Sequence, residues 1–346
     1  MSVVIEGGRV PKLLMRNNGS QRASSSGTSR AQAIRIALIN NMPDAALEDT
    51  ELQFFELLEA AAADVPISLK LYSLPELPRS EAGQQHLAKF YSSIQDLLNS
   101  QFDGMIMTGT EPRQPELRNE PYWPALTAVL EWAEQNTSST VLSCLAAHAG
   151  VLHSDGIARH RLPDKQFGVF DYARVRDHAL TDDVGERMQI PHSRWNEVRA
   201  DALTSCGYEV LTQSADAGVD LFVKKKQASL FVHFQGHPEY GARTLLKEYR
   251  RDIKRFLRQE RETYPTAPHN YFDETSTNQL SEFRERAVSA PSENLMTDFP
   301  EAAIAQAVRS TWQTSAATVY RNWLQYLMGK KADAAAVQAM TPAGRG

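Results

Sequence analysis

Residues 139–152 read STVLSCLAAHAGVL. An apolar run of strand type, STVLSC (139–144), passes directly into Ala146, Ala147, Ala149 and Gly150, small residues that suit a tight turn into a helix. A strand that is apolar on both faces and runs straight into a helix implies a parallel sheet covered by helices. The alternation extends upstream. IRIALIN (34–40), ISLKLYSL (67–74) and FDGMIMTG (102–109) read as strands. DTELQFFELLEAAAA (49–63), HLAKFYSSIQDLL (86–98) and YWPALTAVLEWAEQN (122–136) read as helices, with Asp49 or Thr50 placed to cap the first. Right-handed crossovers then bring the carboxyl ends of the strands to one rim, where open α/β sheets hold ligands.

Downstream the pattern is less regular. GYEVLTQS, DLFVKKKQ and SLFVHFQG, within 207–236, read as three strands of an antiparallel extension. ARTLLKEYRRDIKRFLRQ (242–259) and STWQTSAATVYRNWLQYLM (310–328) are amphipathic helices. Residues 34–330 form a single domain in this reading, with a Pro-, Asn- and Ser-rich surface excursion at about 263–300. Residues 1–33 read as a flexible arm in which VVIEG (3–7) is able to pair as an edge strand, and 331–346 as a helix remnant and tail.

Composition narrows the class. Of 346 residues 42% are apolar and 23% charged, as in an ordinary globular protein, and the net charge of −5 gives no reason to expect nucleic acid as a partner. No apolar run approaches the ~20 residues that span a bilayer, and the start MSVVIEGGRVPKLL lacks the features of a secretory signal. Cys144 and Cys206 make neither a disulfide framework nor a zinc cluster, and His153, His160, His178 and His192 have no metal-ligand spacing. The expectation is a cytoplasmic enzyme with no metal or resident cofactor and no membrane partner.

Chemistry gathers at two strand ends. A thiol at Cys144, at the start of a helix, feels the positive end of the helix dipole, which favours the thiolate, and backbone N–H groups there suit an oxyanion. The alternative for Cys144 is a small buried hydrophobe. FVHFQGHPEYG (231–241) ends a second apolar strand in His237, with Glu239 two residues on. Nucleophile, base and orienting acid then form a Cys–His–Glu arrangement, which tips the reading towards catalysis. Cys206 has no such setting. Lys224, Lys225 and Lys226 read as a solvated strand end or hairpin, or as a patch that attracts phosphate groups.

SCLAAHAG (143–150) together with GHPEYGARTLLKEYRRDI (236–253) resembles the homoserine O-succinyltransferases, within the class-I glutamine amidotransferase-like superfamily. NNMPDAALEDTELQFFELL (40–58), MTGTEP (107–112), DKQFGVFDY (164–172), PHSRWNEV (191–198) and HNYF (269–272) follow in that family's order. The resemblance, from about residue 34 to 328, implies a flavodoxin-like three-layer sandwich and a homodimer that acts on small-molecule substrates. It implies acyl transfer from acyl-CoA, a co-substrate, to homoserine through a thioester on Cys144, with His237 as base and Glu239 as its partner. It also implies substrate contacts by Lys165, Ser193 and Arg194, and by Arg251 or its neighbour Arg250, since a zwitterionic substrate needs a cation for its carboxylate. Three departures surround the acyl pocket. Arg113 stands at the position that correlates with donor choice, Leu145 where Trp is common, and His148 where Gln is common. Arg113 is therefore expected to pair with the distal carboxylate of a succinyl group. Acetyl-CoA as donor, another hydroxy amino acid as acceptor, and amide hydrolysis remain as alternatives.

Overall fold

The computed structural model describes residues 2–6 and 33–340. The first half runs β1 (Val3–Ile5), β2 (Ile34–Ile39), α1 (Asp44–Ala62), β3 (Ile67–Tyr72), α2 (Glu81–Phe90), α3 (Ile94–Leu98), β4 (Gly104–Met107), α4 (Trp123–Asn136), β5 (Ser139–Ser143) and α5 (Leu145–Asp155). The second runs β6 (His160–Arg174), β7 (Arg187–Glu197), α6 (Ala200–Ser205), β8 (Glu209–Val210), β9 (Thr212–Ser214), β10 (Gly218–Val219), β11 (Leu221–Lys226) and β12 (Ser229–Phe234). It closes with α7 (Thr244–Leu257), α8 (Glu274–Ser289), α9 (Glu301–Ala307) and α10 (Gln313–Met340).

The main sheet has eight strands in the order β1-β3-β2-β4-β5-β12-β11-β8. From β1 to β12 all pairings are parallel, and only β11 and β8 extend it antiparallel. Thus β12 belongs to the parallel set, whereas the sequence placed it in the antiparallel extension. The core order β3-β2-β4-β5-β12 is that of a doubly wound, flavodoxin-like sheet, with its switch point between β2 and β4. On one face α1 and α10 pack Phe54 and Leu58 with Tyr320, Trp323 and Leu327. On the other, α4 and α5 contribute Val129, Leu130 and Ala147. The result is a three-layer α/β/α sandwich, built because the strands are apolar on both faces and need cover on both. No described helix is long and apolar enough to cross a membrane.

Several boundaries move for identifiable reasons. The first helix begins at Asp44, with extended Pro43 before it, so Asp49 and Thr50 lie inside the helix rather than at its cap. Proline suits that place because it has no N–H to leave unpaired. The 86–98 segment is two helices, each begun by a serine hydroxyl, Ser80 and Ser93, that accepts a first-turn N–H. The helix near the C-terminus continues to Met340, through part of the expected tail; residues 341–346 lie outside the described residues. Val3–Ile5 pairs with β3 as an edge strand, while 7–32 of the expected arm lie outside the described residues. The 263–300 excursion holds α8, capped by Asp273, and packs Leu280, Phe283 and Phe299 on Leu245, Tyr249 and Ile253 of α7.

A second sheet, β10-β9-β6-β7, is wholly antiparallel; β9 lies within the GYEVLTQS stretch read as a strand, whereas β6 and β7 were not legible as strands. It carries Lys165 and Ser193. The HNYF segment crosses it at Gly168, where His269 N–H donates to Phe167 O at 2.9 Å and Val169 N–H to His269 O at 2.8 Å. Gly168 has φ +142°, and a β-carbon there would lie 2.3 Å from the His269 nitrogen. Gly168→Ala is expected to destabilise the fold by about 2–4 kcal/mol, a fall in melting temperature of roughly 5 °C or more. An unchanged melting curve would show that this crossing is not close in solution.

Candidate active site

Parallel pairing of β5 with β12 matches Ser143 with Phe234, and the Cys144 N–H donates to Phe234 O at 2.8 Å. Both strands therefore release their chains at the same rim, Cys144 from one and Gly236-His237 from the other. Cys144 has φ 53° and ψ −114° and is the N-cap of α5. That conformation is costly for a residue with a β-carbon, about 1–3 kcal/mol, and lifts the side chain off the sheet. The first N–H groups that return to Cys144 O are those of Ala147 and His148. The amides of Leu145 and Ala146, in the first turn, have no preceding turn to bond and carry the positive end of the helix dipole. Gly109, just past β4, stands against this turn: a β-carbon there would lie 2.8 Å from Leu145 N.

His237 is buried, and its Nδ1 lies 2.8 Å from Glu239 Oε1. Its ring stacks on Tyr240 with centroids 4.2 Å apart, and the His237 backbone N–H donates to Pro191 O at 2.9 Å. Burial works to lower the His237 pKa, but the Cys144 side chain, within hydrogen-bonding reach, and the Glu239 carboxylate outweigh it and raise the pKa well above its ordinary value. The Glu239 carboxylate is also buried; Ser143 Oγ is 3.5 Å from Oε1, and Oε2 has no hydrogen-bond partner among the described residues.

A charged cluster adjoins the triad through Tyr240, whose hydroxyl donates to Glu248 Oε1 at 2.6 Å. Ser193 Oγ donates to Glu248 Oε2 at 2.5 Å. The Lys165 ammonium lies 3.5 Å from Glu248 and 3.4 Å from Asp252, and 3.9 Å from the Phe167 ring centroid. Arg251 pairs with Asp252 at 3.1 Å and with Glu248 at 3.8 Å. Burial works to raise the Glu248 pKa, but Lys165, Ser193, Tyr240 and Arg251 together hold it below the ordinary value. Two cations and two carboxylates thus lie together beside the group of Cys144, His237 and Glu239.

The structure thus brings Cys144, His237 and Glu239 together, and Lys165, Ser193 and Arg251 beside them. Arg250 points elsewhere, 3.0 Å from Glu301. Arg194 departs from the sequence expectation. Its guanidinium is buried and donates to Asn196 O, Ala217 O and His192 Nδ1 at 2.8, 2.7 and 3.1 Å, so it braces the second sheet. Arg113 is exposed on the loop after β4, where its own N–H and that of Gln114 donate to the buried Glu120 carboxylate. Leu145 is buried against Gly109, and His148 is buried with its ring held by Gln235 at 2.9 Å. Lys224 and Lys226 pair with Asp155 at the opposite rim, since β11 runs against β12. Glu248 and Asp252 escaped sequence reading, although their four-residue spacing on an amphipathic helix puts them on one face.

Known proteins match over most of the chain. A family model described as HTS, homoserine O-succinyltransferase, matches residues 11–334. A homoserine O-succinyltransferase of Rhodopseudomonas palustris is 46% identical over 297 residues, 86% of this chain and 89% of that protein. One of Bradyrhizobium japonicum is 43% identical over 309 residues, 88% of this chain and 94% of that protein. Among solved structures, a glutamine amidotransferase from Thermotoga maritima aligns with a TM-score of 0.47 and 12% identity, over 85% of this chain and 98% of that one.

Proposed function

The chain belongs to the homoserine O-succinyltransferase family, and from that premise we propose that it moves a succinyl group from succinyl-CoA to the hydroxyl of L-homoserine through Cys144. The Cys144 thiolate attacks the thioester carbonyl, and the oxyanion is received by the first-turn amides of α5. The bond to the CoA sulfur breaks, His237 supplies the proton to that sulfur, and a succinyl thioester remains on Cys144. The homoserine hydroxyl then attacks this thioester while neutral His237 takes its proton. Collapse releases O-succinylhomoserine and restores the thiolate–imidazolium pair. Glu239 holds the ring through Nδ1 and favours its cationic form throughout. Arg251 and Lys165 supply cations for the amino-acid carboxylate, and Glu248 and Asp252 supply acceptors for its ammonium group.

One observation carries this reading: a cysteine at φ 53° on a strand-to-helix turn, within reach of a buried histidine whose far nitrogen is 2.8 Å from a carboxylate. Its test is intact-protein mass spectrometry after incubation with succinyl-CoA, acetyl-CoA or glutaryl-CoA. The expected result is a mass gain of one succinyl group, discharged by L-homoserine; no adduct from any donor would overturn the reading.

Donor choice has its own test at Arg113. Its exposed guanidinium is free to meet the distal carboxylate of an entering dicarboxylic acyl group. Because the pair would be solvent-screened, Arg113→Gly should lower the preference for succinyl-CoA over acetyl-CoA by about threefold to tenfold. A kcat/KM ratio for the two donors equal to that of wild type would remove Arg113 from specificity.

A further inference from the structure

A buried polar cluster lies directly behind the catalytic segment. Asp220, between β10 and β11, is fully buried, and its Oδ1 accepts the Gly236 N–H at 2.6 Å. Gly236 is the residue before His237. The other oxygen, Oδ2, has no hydrogen-bond partner among the described residues. The His192 ring stands 3.6 Å from Oδ1. Arg194 Nε donates to His192 Nδ1 at 3.1 Å, so that nitrogen is an acceptor and the neutral ring carries its proton on Nε2. That nitrogen lies 2.8 Å from the Tyr172 hydroxyl. A β-carbon at Gly236 would lie 2.8 Å from the same His192 ring, so there is no slack between the second sheet and the start of the catalytic segment. The groups facing Asp220 are therefore Tyr172 from β6, His192 and Arg194 from β7, and His237 and Glu239 from the segment after β12.

We propose that Asp220 is a positioning residue for the acyl-transfer reaction: it fixes the Gly236 amide, and when ionised it places a second negative charge behind His237. The proposal rests on the reading of Cys144, His237 and Glu239 as the catalytic set. Burial raises the Asp220 pKa to about 7; the Gly236 N–H, Arg194 and His237 oppose the rise, and Glu239 adds to it. Its ionisation thus falls within the neutral range. The sign follows directly. Above pH 7 the Asp220 carboxylate stabilises the His237 imidazolium and carries activity to higher pH. For stability the effect is opposite. The unfolded chain ionises this group near the ordinary carboxylate value, so its contribution is present at low pH and is lost as pH rises through about 7.

The test compares wild type, Asp220→Asn and Asp220→Ala in a Cys206→Ser background, so that Cys144 is the only thiol. Two pH profiles are taken: kcat and KM for acyl transfer, and the rate of Cys144 alkylation by iodoacetamide, which needs no substrate. Asp220→Asn keeps an acceptor for the Gly236 N–H and removes the charge. It should move the alkaline limb of the kcat profile, and the upper step of the alkylation profile at which the thiolate loses its imidazolium partner, to lower pH by about one unit, with KM within about twofold of wild type. It should also melt at higher temperature than wild type at pH 8, by a margin that shrinks as pH falls towards the ordinary carboxylate value. Asp220→Ala, lacking the acceptor as well, should lower kcat at every pH. Wild-type profiles in Asp220→Asn, or a limb moved to higher pH, would overturn the proposal. Should Asp220→Asn not fold, Asp220→Ser carries the same comparison. If the wild type takes no acyl group, the catalytic reading fails, while the alkylation profiles still decide the charge effect of Asp220.

Discussion

Cys144→Ala is expected to abolish acyl transfer, with kcat lower by about 10⁴-fold or more and no acyl adduct by mass spectrometry. The size of the effect follows from the two-step route. Without the sulfur, homoserine would have to attack the CoA thioester directly, and no second thiol lies in the site among the described residues. Stability provides a control. Alanine keeps a β-carbon at φ 53°, whereas glycine adopts that angle freely. Cys144→Gly should therefore be as inactive as Cys144→Ala but more stable, by about 1 kcal/mol or more. Turnover by a folded Cys144→Ala at even a tenth of the wild-type rate would exclude the thioester route.

Glu239→Gln should lower kcat by about 10²- to 10⁴-fold, with KM little changed. Its side chain is nearly isosteric, so packing against Ser143 is kept, but the carboxylate 2.8 Å from His237 Nδ1 is lost. Two consequences follow. The ring is no longer held in the tautomer that presents Nε2 to the thiol, and one source of the raised His237 pKa disappears. The alkaline limb of the kcat profile should then move to lower pH, because the imidazolium deprotonates more readily. A fall of less than about threefold with an unmoved limb would make Glu239 a bystander.

The grouping of Cys144, His237 and Glu239 was legible because its parts sit at strand ends, and strand ends are marked by an abrupt change from apolar residues to Gly, Pro or small residues. SCLAAHAG and QGHPEYG show that change directly. Arg194 was misplaced by the same kind of reading. Nothing local distinguishes an arginine offered to a substrate from one that donates to Ala217 and Asn196 across a sheet. The two long strands of the second sheet were missed for a related reason. HRLPDKQFGVFDYAR contains a proline, a glycine and five charged residues, and only pairing with Arg187–Glu197 and the HNYF crossing makes it a strand.

Apolar strands alternating with amphipathic helices determined the parallel sheet, its covering layers and the rim where Cys144 emerges, since burial of both sheet faces leaves few other solutions; the parallel pairing of β12 with β5 that brings His237 to that rim was decided by the tertiary structure. Tertiary structure alone decided which ions face one another. It joined Lys165 to Glu248 and Asp252 across 83 and 87 residues, and Asp220 to the Gly236 amide across 16. Charge pairing and burial depend on distance in space, and a linear order of residues carries that only where the backbone's own periodicity brings them together.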